Sequence, residues 1–284
     1  MSATLPPLST SLPKTDGGSP LPEGLLPAPV WRYAQGCAPK AQPDVLAEEV
    51  PVAFVVDGIT QLVMLATPAD LEDLALGLAY TEGWITQPQD VLDCEPQRSE
   101  QGWEVHMRVM AGCAWQLQAR RRAAAGRTGC GLCGADSLAQ VRLPLPAVAP
   151  PALSATQVCH AMAQLQQHQT RLALCGATHA AAWCDAQGQL QLVREDVGRH
   201  NALDKLIGAL LRQGTPRQQG MVVISSRASF EMVQKTARAG MGMLAAVSAP
   251  THMAVEVARD CGLTLLGFVR GNALVAYTPP PATL

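Results

Sequence analysis

The strongest constraint on the fold is an alternation of strand-like and helix-like segments between residues 221 and 277. MVVIS, MLAAVS and LTLLGFV are short apolar runs typical of buried strands, and NALVAYT is a candidate for a further strand. The intervening SFEMVQKTARAG and THMAVEVARDCG have helical periodicity. This alternation predicts a parallel sheet with right-handed helical crossovers.

The segments directly before this region predict further elements of the same domain. AAAWC (180–184) and QLQLV (189–193) flank the turn sequence DAQG, so we expect two paired strands. NALDKLIGALLRQG (201–214) is an amphipathic helix that ends at glycine. Ser154 with Gln157 forms a capping box for a helix that follows the Pro-rich stretch 143–154.

The N-terminal half predicts fewer helices and more strands. VAFVV (52–56) and QLVML (61–65) surround Asp57-Gly58 and indicate a hairpin. Thr67-Pro68 with Asp70 predicts a capping-box helix start, with proline in the first helical position and a helix that stops near Gly83. WEVHMRV (103–109) alternates like a strand, and WQLQARRRAAAG (115–126) is typical of a helix.

These patterns predict an α/β (α+β) protein in three parts. Residues 1–30 form a disordered Pro-rich tail, 31–145 a smaller β-rich N-terminal subdomain, and 146–284 a C-terminal domain with a mixed sheet and flanking helices.

Composition excludes several classes of protein. A net charge of −2 weighs against a general nucleic-acid or acidic-membrane binder. The sequence lacks an uninterrupted apolar run of about 18 residues, so we expect no membrane span and a cytoplasmic location. The nine cysteines are widely spaced and odd in number, which argues for reduced thiols rather than a disulfide framework.

The sharpest short motif is Cys130-Gly-Leu-Cys133 in RTGCGLCGAD. Glycines leave these thiols accessible, and the arginines at 120–122 and 127 favour the nucleophilic thiolate. Zinc binding, disulfide exchange and sulfur transfer all fit a CxxC motif, and so do two ordinary loop cysteines. Structural zinc normally needs two more closely spaced ligands, which the neighbouring sequence does not supply.

A second group of polar residues is REDVGRHNALDK (194–205), at a strand end that opens a helix. A helix N-terminus with Arg199 and His200 can hold an anion, although a solvated, salt-bridged helix start fits equally well. His179 in THAAAW resembles the start of a deaminase His-x-Glu motif, but residue 181 is alanine and the general acid/base is missing.

A third group follows from the parallel sheet, because the carboxyl ends of parallel strands meet at one edge and bind ligands there. Hydroxyls and guanidiniums at this edge suit a phosphorylated ligand, whereas ordinary helix capping would explain each hydroxyl alone. We refer to these segments as the ligand rim: Ser225, Ser226 and Arg227; Ser248, Ala249, Pro250 and Thr251; Arg270, Gly271 and Asn272.

Three segments together resemble the FdhD family of sulfur carriers required for formate dehydrogenase activity. They are TGCGLCG (128–134), THAAAWCDAQGQLQLVREDVGRHNALDKLIG (178–208) and residues 225–278. The resemblance implies that a cysteine desulfurase supplies sulfur as a persulfide on Cys130, with Cys133 as its companion. It also implies a sulfurtransferase that passes this sulfur to bis-(molybdopterin guanine dinucleotide) molybdenum cofactor before insertion into apo formate dehydrogenase.

The resemblance carries further expectations about the site. The cofactor is a bound substrate, and no metal of the protein's own is expected. FVRGNA (Phe268, Val269, Arg270, Gly271, Asn272 and Ala273) matches the cofactor-binding stretch, and we add Ser225, Ser226, His179 and Arg199 to that site. The family implies a cytidine-deaminase-like C-terminal domain and a homodimer. A zinc-dependent deaminase-like hydrolase and a non-catalytic cofactor chaperone remain as alternatives.

Overall fold

The computed structural model describes residues 20–125 and 145–284. The strands are β1 (Leu25–Arg32), β2 (Lys40–Ala47), β3 (Val50–Val56), β4 (Ile59–Ala66), β5 (Val91–Ser99), β6 (Gly102–Val109), β7 (His179–Cys184), β8 (Leu190–Asp196), β9 (Met221–Ile224), β10 (Met243–Ala246), β11 (Thr264–Arg270) and β12 (Ala273–Ala276). The helices are α1 (Leu71–Thr81), α2 (Ala111–Ala125), α3 (Ala155–His168), α4 (Thr170–Cys175), α5 (Arg199–Arg212), α6 (Phe230–Arg238) and α7 (His252–Cys261). Short 3₁₀ turns lie at Pro88–Asp90 and Arg217–Gln219.

A six-stranded mixed sheet with the order β12-β11-β10-β9-β7-β8 forms the larger layer. Strands β9, β10 and β11 are parallel, which confirms the prediction from residues 221–277. β7 and β12 join this parallel centre antiparallel, and β8 pairs with β7 as predicted. Val222 and Ile224 face α5, α6 and α7, while Met221 and Val223 face α3, so helices cover both sides and every β9 side chain is buried.

A smaller four-stranded sheet, in the order β4-β3-β6-β5, forms the N-terminal part. β3 and β4 form the predicted hairpin, and Asp57 and Gly58 adopt the positive φ values that its turn requires. Helix α1 packs on this sheet, where Leu74 and Leu78 meet Phe54 in one buried cluster. The mixed α/β class is therefore confirmed, and the likeness to cytidine deaminases stays a prediction.

Helix α1 begins later than the sequence predicts. Its N-cap is Asp70, which has a φ of 53° and makes no side-chain capping bond, so the predicted start at Pro68 is wrong. The reason is tertiary, because the Thr67 hydroxyl accepts a hydrogen bond from the backbone N–H of Val197 instead of capping the helix. Strand β5 escaped prediction because its side chains are mostly exposed and follow no apolar alternation.

The predicted tail also contains ordered chain. β1 lies across the expected boundary at residue 30 and pairs antiparallel with β2, where Pro27 faces Val45 and Pro29 faces Pro43. A two-stranded ribbon tolerates these prolines, because each strand has a free edge on which a missing N–H costs nothing. Residues 20–30 therefore correct the tail prediction, and the division between residues 145 and 146 stays a prediction.

The two sheets are joined by the close packing of α1 against α5. Gly77 and Gly208 face each other, and a Cβ on Gly77 would overlap the carbonyl oxygen of Asp204. A Cβ on Gly208 would likewise overlap the carbonyl oxygen of Asp73. The absence of side chains at both positions lets the two helix backbones touch. Within the described residues, no helix has the length and apolar character that crossing a membrane requires.

We predict that Gly208→Val lowers the free energy of unfolding by roughly 3 kcal/mol, because the added side chain forces the two backbones apart. Urea denaturation followed by circular dichroism measures this loss. Gly112→Val in α2 is the matched control, since a Cβ there meets nothing within 4 Å, and its effect stays within about 1 kcal/mol. Equal unfolding midpoints for both variants would contradict the packing argument.

Candidate ligand-binding site

The ligand rim is assembled by backbone pairing that continues beyond the ends of the parallel strands. Ala228 and Pro250 form a parallel bridge past β9 and β10, and the N–H of Thr251 donates to the Ala228 carbonyl at 3.0 Å. The N–H of Phe268 donates to the carbonyl of Ser248 at 3.3 Å. The three loops predicted to meet at this edge are therefore held side by side.

Ser225 connects the rim to the start of β7. Its hydroxyl accepts a hydrogen bond from the N–H of Ala180 at 2.8 Å, and its own N–H donates to the Ala180 carbonyl. His179, the residue before Ala180, therefore lies beside the rim. Ser226 is buried and donates its hydroxyl to the carbonyl of Arg227, while Thr251 caps α7 by accepting from the N–H of Ala254.

The stretch Phe268–Ala273 covers the irregular end of β11, the two-residue turn 271–272 and the first residue of β12. The strand register shifts between Gly267 and Arg270, and Phe268 takes a positive φ of 51°. Val269 is buried in the core, whereas Phe268 is 42% exposed. Such a backbone conformation is unfavourable for phenylalanine, so the surrounding structure must hold the backbone in it.

Arg270 ties this turn to the neighbouring strand end. Its Nε donates to the carbonyl of Val247, just after β10, at 3.0 Å, and the residue is exposed. Gly271 has a φ of 54° and lets the chain reverse into β12. An exposed aromatic ring and an anchored guanidinium at one turn can bind a planar base and a phosphate.

The second part of the site lies at the N-terminus of α5. His179 pairs in register with Asp196 across β7 and β8, and α5 begins three residues after Asp196, at Arg199. The N-cap residue Gly198 has no side chain to cap the helix, which leaves its first turn open to an anion. The Nε of Arg199 is buried and makes no hydrogen bond with the described residues.

Burial and the neighbouring charges, of which only Asp196 acts in the opposite direction, lower the pKa of His179. Burial has the largest effect, and the neighbouring Arg199 and His200 lower this pKa further. His200 Nε2 lies 2.6 Å from a carboxylate oxygen of Glu231 at the start of α6, and this hydrogen bond is the main reason that the pKa of Glu231 is lowered. His179 therefore tends to be neutral beside a positive arginine.

The predicted sulfur-carrying residues Cys130 and Cys133 lie outside the described residues. The seven described cysteines are all free thiols. Burial raises the pKa of Cys94 and of Cys184 to about 12, so these two remain protonated and act as packing residues. Cys175 lies near the start of β7, where its sulfur accepts a hydrogen bond from the N–H of Ala177.

The position where a deaminase would carry glutamate is occupied by Ala181, which is buried within β7. The described residues contain no cluster of three or more histidine, cysteine or acidic side chains that could hold a metal ion. Residue 181 therefore supplies no deaminase acid/base group.

Sequence reasoning did not assign roles to Asp196 and Lys205, both of which are fully buried. Lys205 lies between the buried Leu203 and Leu206 of α5, and a charged residue within an apolar stretch was the available signal. Its partner Asp196 was not readable, because the pairing depends on how β8 and α5 pack together.

Comparisons with known proteins agree with one another. The model of the FdhD/NarQ family matches residues 47–283. A sulfur carrier protein FdhD from Bordetella petrii is 53% identical over 240 residues, covering 84% of this chain and 86% of that protein. The protein of the same name from Cupriavidus necator is 53% identical over 239 residues, covering 84% and 83%.

A solved structure shows the same fold. The crystal structure described as that of a formate dehydrogenase accessory protein from Desulfotalea psychrophila matches with a TM-score of 0.73 at 19% identity. The match covers 90% of this chain and 98% of that chain. At 19% identity, this likeness shows a shared arrangement of strands and helices, that is, the fold alone.

We predict that Arg199→Gln raises the pKa of His179 toward the ordinary 6.5, because a neighbouring positive charge is removed. An NMR titration of the imidazole C–H signals measures this change. Since the folded pKa is lowered, the unfolded chain binds the proton more readily, and His179 costs stability as the pH falls below 6.5. Arg259→Gln on α7 is the control, and an unchanged His179 titration in Arg199→Gln would contradict the electrostatic assignment.

Proposed function

Because the chain belongs to the FdhD/NarQ family, we propose that it is a sulfur carrier that serves the maturation of a formate dehydrogenase. The family match over residues 47–283 carries this proposal, and two relatives that are 53% identical have the name sulfur carrier protein. The CxxC motif at Cys130 and Cys133 supplies the thiol chemistry that such a role needs.

Sulfur enters the protein as a persulfide on Cys130. The Cys130 thiolate attacks the outer sulfur of a persulfide on a cysteine desulfurase, and the sulfur–sulfur bond of the desulfurase breaks. The desulfurase cysteine leaves as a thiolate, and Cys130 keeps the outer sulfur as its own persulfide. No net oxidation or reduction occurs in this exchange.

Cys133 releases the sulfur for transfer. Its thiolate attacks the inner sulfur of the Cys130 persulfide, forms a Cys130–Cys133 disulfide and expels the outer sulfur as HS⁻. The two cysteines supply the two electrons that reduce the outer sulfur, and the sulfide then coordinates the molybdenum of the bound substrate. A cellular dithiol reductant returns the disulfide to two thiols before the next cycle.

The substrate of this step is the bis-(molybdopterin guanine dinucleotide) form of the molybdenum cofactor. Its diphosphates are anionic, and the charges of Arg199 and Arg270 with the open first turn of α5 provide complementary binding groups. The exposed ring of Phe268 offers a stacking surface for a guanine base. Ser225, Ser226, Asn272 and His179 complete the proposed binding set.

The proposal includes a cellular setting. Reduced thiols suit the cytoplasm, where a cysteine desulfurase and apo formate dehydrogenase are the expected partners. We expect the carrier to act as a homodimer. A chaperone that only binds cofactor is the competing function, and it does not need the Cys130 thiol.

We predict that incubation with a desulfurase and cysteine adds about 32 Da, the mass of one sulfur atom, to the peptide that contains Cys130 and Cys133. Mass spectrometry under non-reducing conditions measures the adduct. Cys130→Ala should abolish formate dehydrogenase activation in a host whose own carrier gene is deleted. Cys37→Ala, which removes an exposed thiol between β1 and β2, is the control and should retain activation. Full activation by Cys130→Ala would favour the chaperone.

A separate prediction concerns the nucleotide part of the substrate. Arg270→Ala should weaken GDP binding roughly tenfold, the value of one charge-assisted hydrogen bond. Isothermal titration calorimetry measures this affinity. Arg259→Ala is the matched control, because Arg259 is also exposed and also donates to a backbone carbonyl, that of Tyr277, but lies outside the rim. Equal affinities for both variants would contradict the assignment of the rim.

A further inference from the structure

Thr67, which directly follows β4 and lies four residues before α1, contacts the end of β8 through both its backbone and its side chain. Its N–H donates to Oδ2 of Asp196 at 3.0 Å. Its hydroxyl accepts from the N–H of Val197 at 3.2 Å. The N-terminal sheet is thereby joined to the residues that lead into α5.

Lys205, in the second turn of α5, contacts both Asp196 and Thr67. The side chain is fully buried, and its Nζ lies 2.6 Å from Oδ2 of Asp196. The same Nζ donates to the carbonyl of Thr67 at 2.9 Å. Burial lowers the pKa of Lys205, while the adjacent carboxylate opposes that shift. A buried charge pair of this kind is tolerated only where its hydrogen bonds are satisfied, so its geometry is restrictive.

The other oxygen of Asp196 shapes the turn before α5. Oδ1 accepts from the N–H of Gly198 at 2.8 Å and from Nδ2 of Asn201 at 2.9 Å. Asn201 also donates to the carbonyl of Leu65 in β4 at 2.9 Å. Arg199 lies between Gly198 and Asn201, so its backbone is fixed on both sides by the same carboxylate.

We propose that Thr67, Asp196 and Lys205 are positioning residues that hold the first turn of α5, and with it Arg199, in the geometry that binds an anionic ligand. They act through Arg199 and touch no ligand themselves. The proposal rests on the proposed function in one respect, namely that the ligand is the diphosphate part of a guanine nucleotide. It also implies that the position of the N-terminal sheet, which carries Thr67, affects the geometry of the ligand site at the start of α5.

A second buried network provides an internal comparison. Lys235 of α6 lies 2.9 Å from Oδ2 of Asp204, and it donates to the hydroxyl of Thr81 at 2.9 Å. Thr81 in turn donates to Oδ1 of Asp204 at 2.8 Å. Both networks unite a lysine, an aspartate and a threonine around α1 and α5. The network at Thr81 lies at the C-terminal end of α1, and its aspartate, Asp204, is in the second turn of α5 rather than in the residues before the first turn.

The test compares Thr67→Val with Thr81→Val, since each variant removes one buried hydroxyl and keeps the side-chain volume. Three quantities are measured on the full chain: the urea unfolding midpoint, hydrogen–deuterium exchange of the peptide spanning 197–201, and affinity for GDP. We expect both variants to lower the midpoint. Thr67→Val alone should speed exchange in the 197–201 peptide and weaken GDP binding about fivefold. Thr67→Ser, which restores the hydroxyl, should recover both quantities.

The outcomes separate this proposal from the proposed function. If Thr67→Val and Thr81→Val change exchange in the 197–201 peptide equally, the positioning role is wrong, whatever the GDP affinity. If wild-type protein does not bind GDP, or Arg199→Gln binds it as tightly as wild type does, the nucleotide assignment fails. In that case the exchange comparison alone decides whether Thr67 positions the turn.

Discussion

Direct backbone contact between α1 and α5 is the interaction on which the remaining architecture depends. Gly77 and Gly208 remove the side chains that would otherwise hold these helices apart. Helix α1 packs on the N-terminal sheet and α5 packs on the C-terminal sheet, so this contact determines how the two sheets are placed relative to each other. The interior is close-packed, so a displacement here is transmitted rather than absorbed.

Buried ion pairs at both ends of α1 give this contact a defined register. Asp196 with Lys205 and Asp204 with Lys235 are each bonded to a threonine of the N-terminal part. Apolar side chains tolerate small slips along a helix, whereas a buried charge needs its partner within hydrogen-bond distance. The charged groups therefore restrict the helices to one alignment, and that alignment holds the residues at the start of α5.

The proposed ligand site combines two neighbouring features, the ligand rim at the strand ends and the N-terminus of α5. Parallel strands bring Ser225, Thr251 and Arg270 to one edge, and the same sheet places His179 beside the open N-terminus of α5. Ser225 connects these two features, because it belongs to the rim and its hydrogen bonds with Ala180 hold the start of β7 beside it. A ligand with several negative charges can engage both, which suits a dinucleotide better than a single phosphate.

The sequence by itself determined the elements whose pattern is local. The parallel strands, the hairpin at Asp57-Gly58 and the capping box at Ser154 were predictable, because apolar periodicity and turn chemistry act over a few residues. The rim was predictable for the same reason, since strand order fixes which loops share an edge. The tertiary structure alone decided that α1 begins at Leu71, that prolines lie within β1, and that Thr67 meets Asp196 and Lys205. Those features depend on hydrogen bonds between groups far apart in the chain, and a local pattern carries no information about such partners.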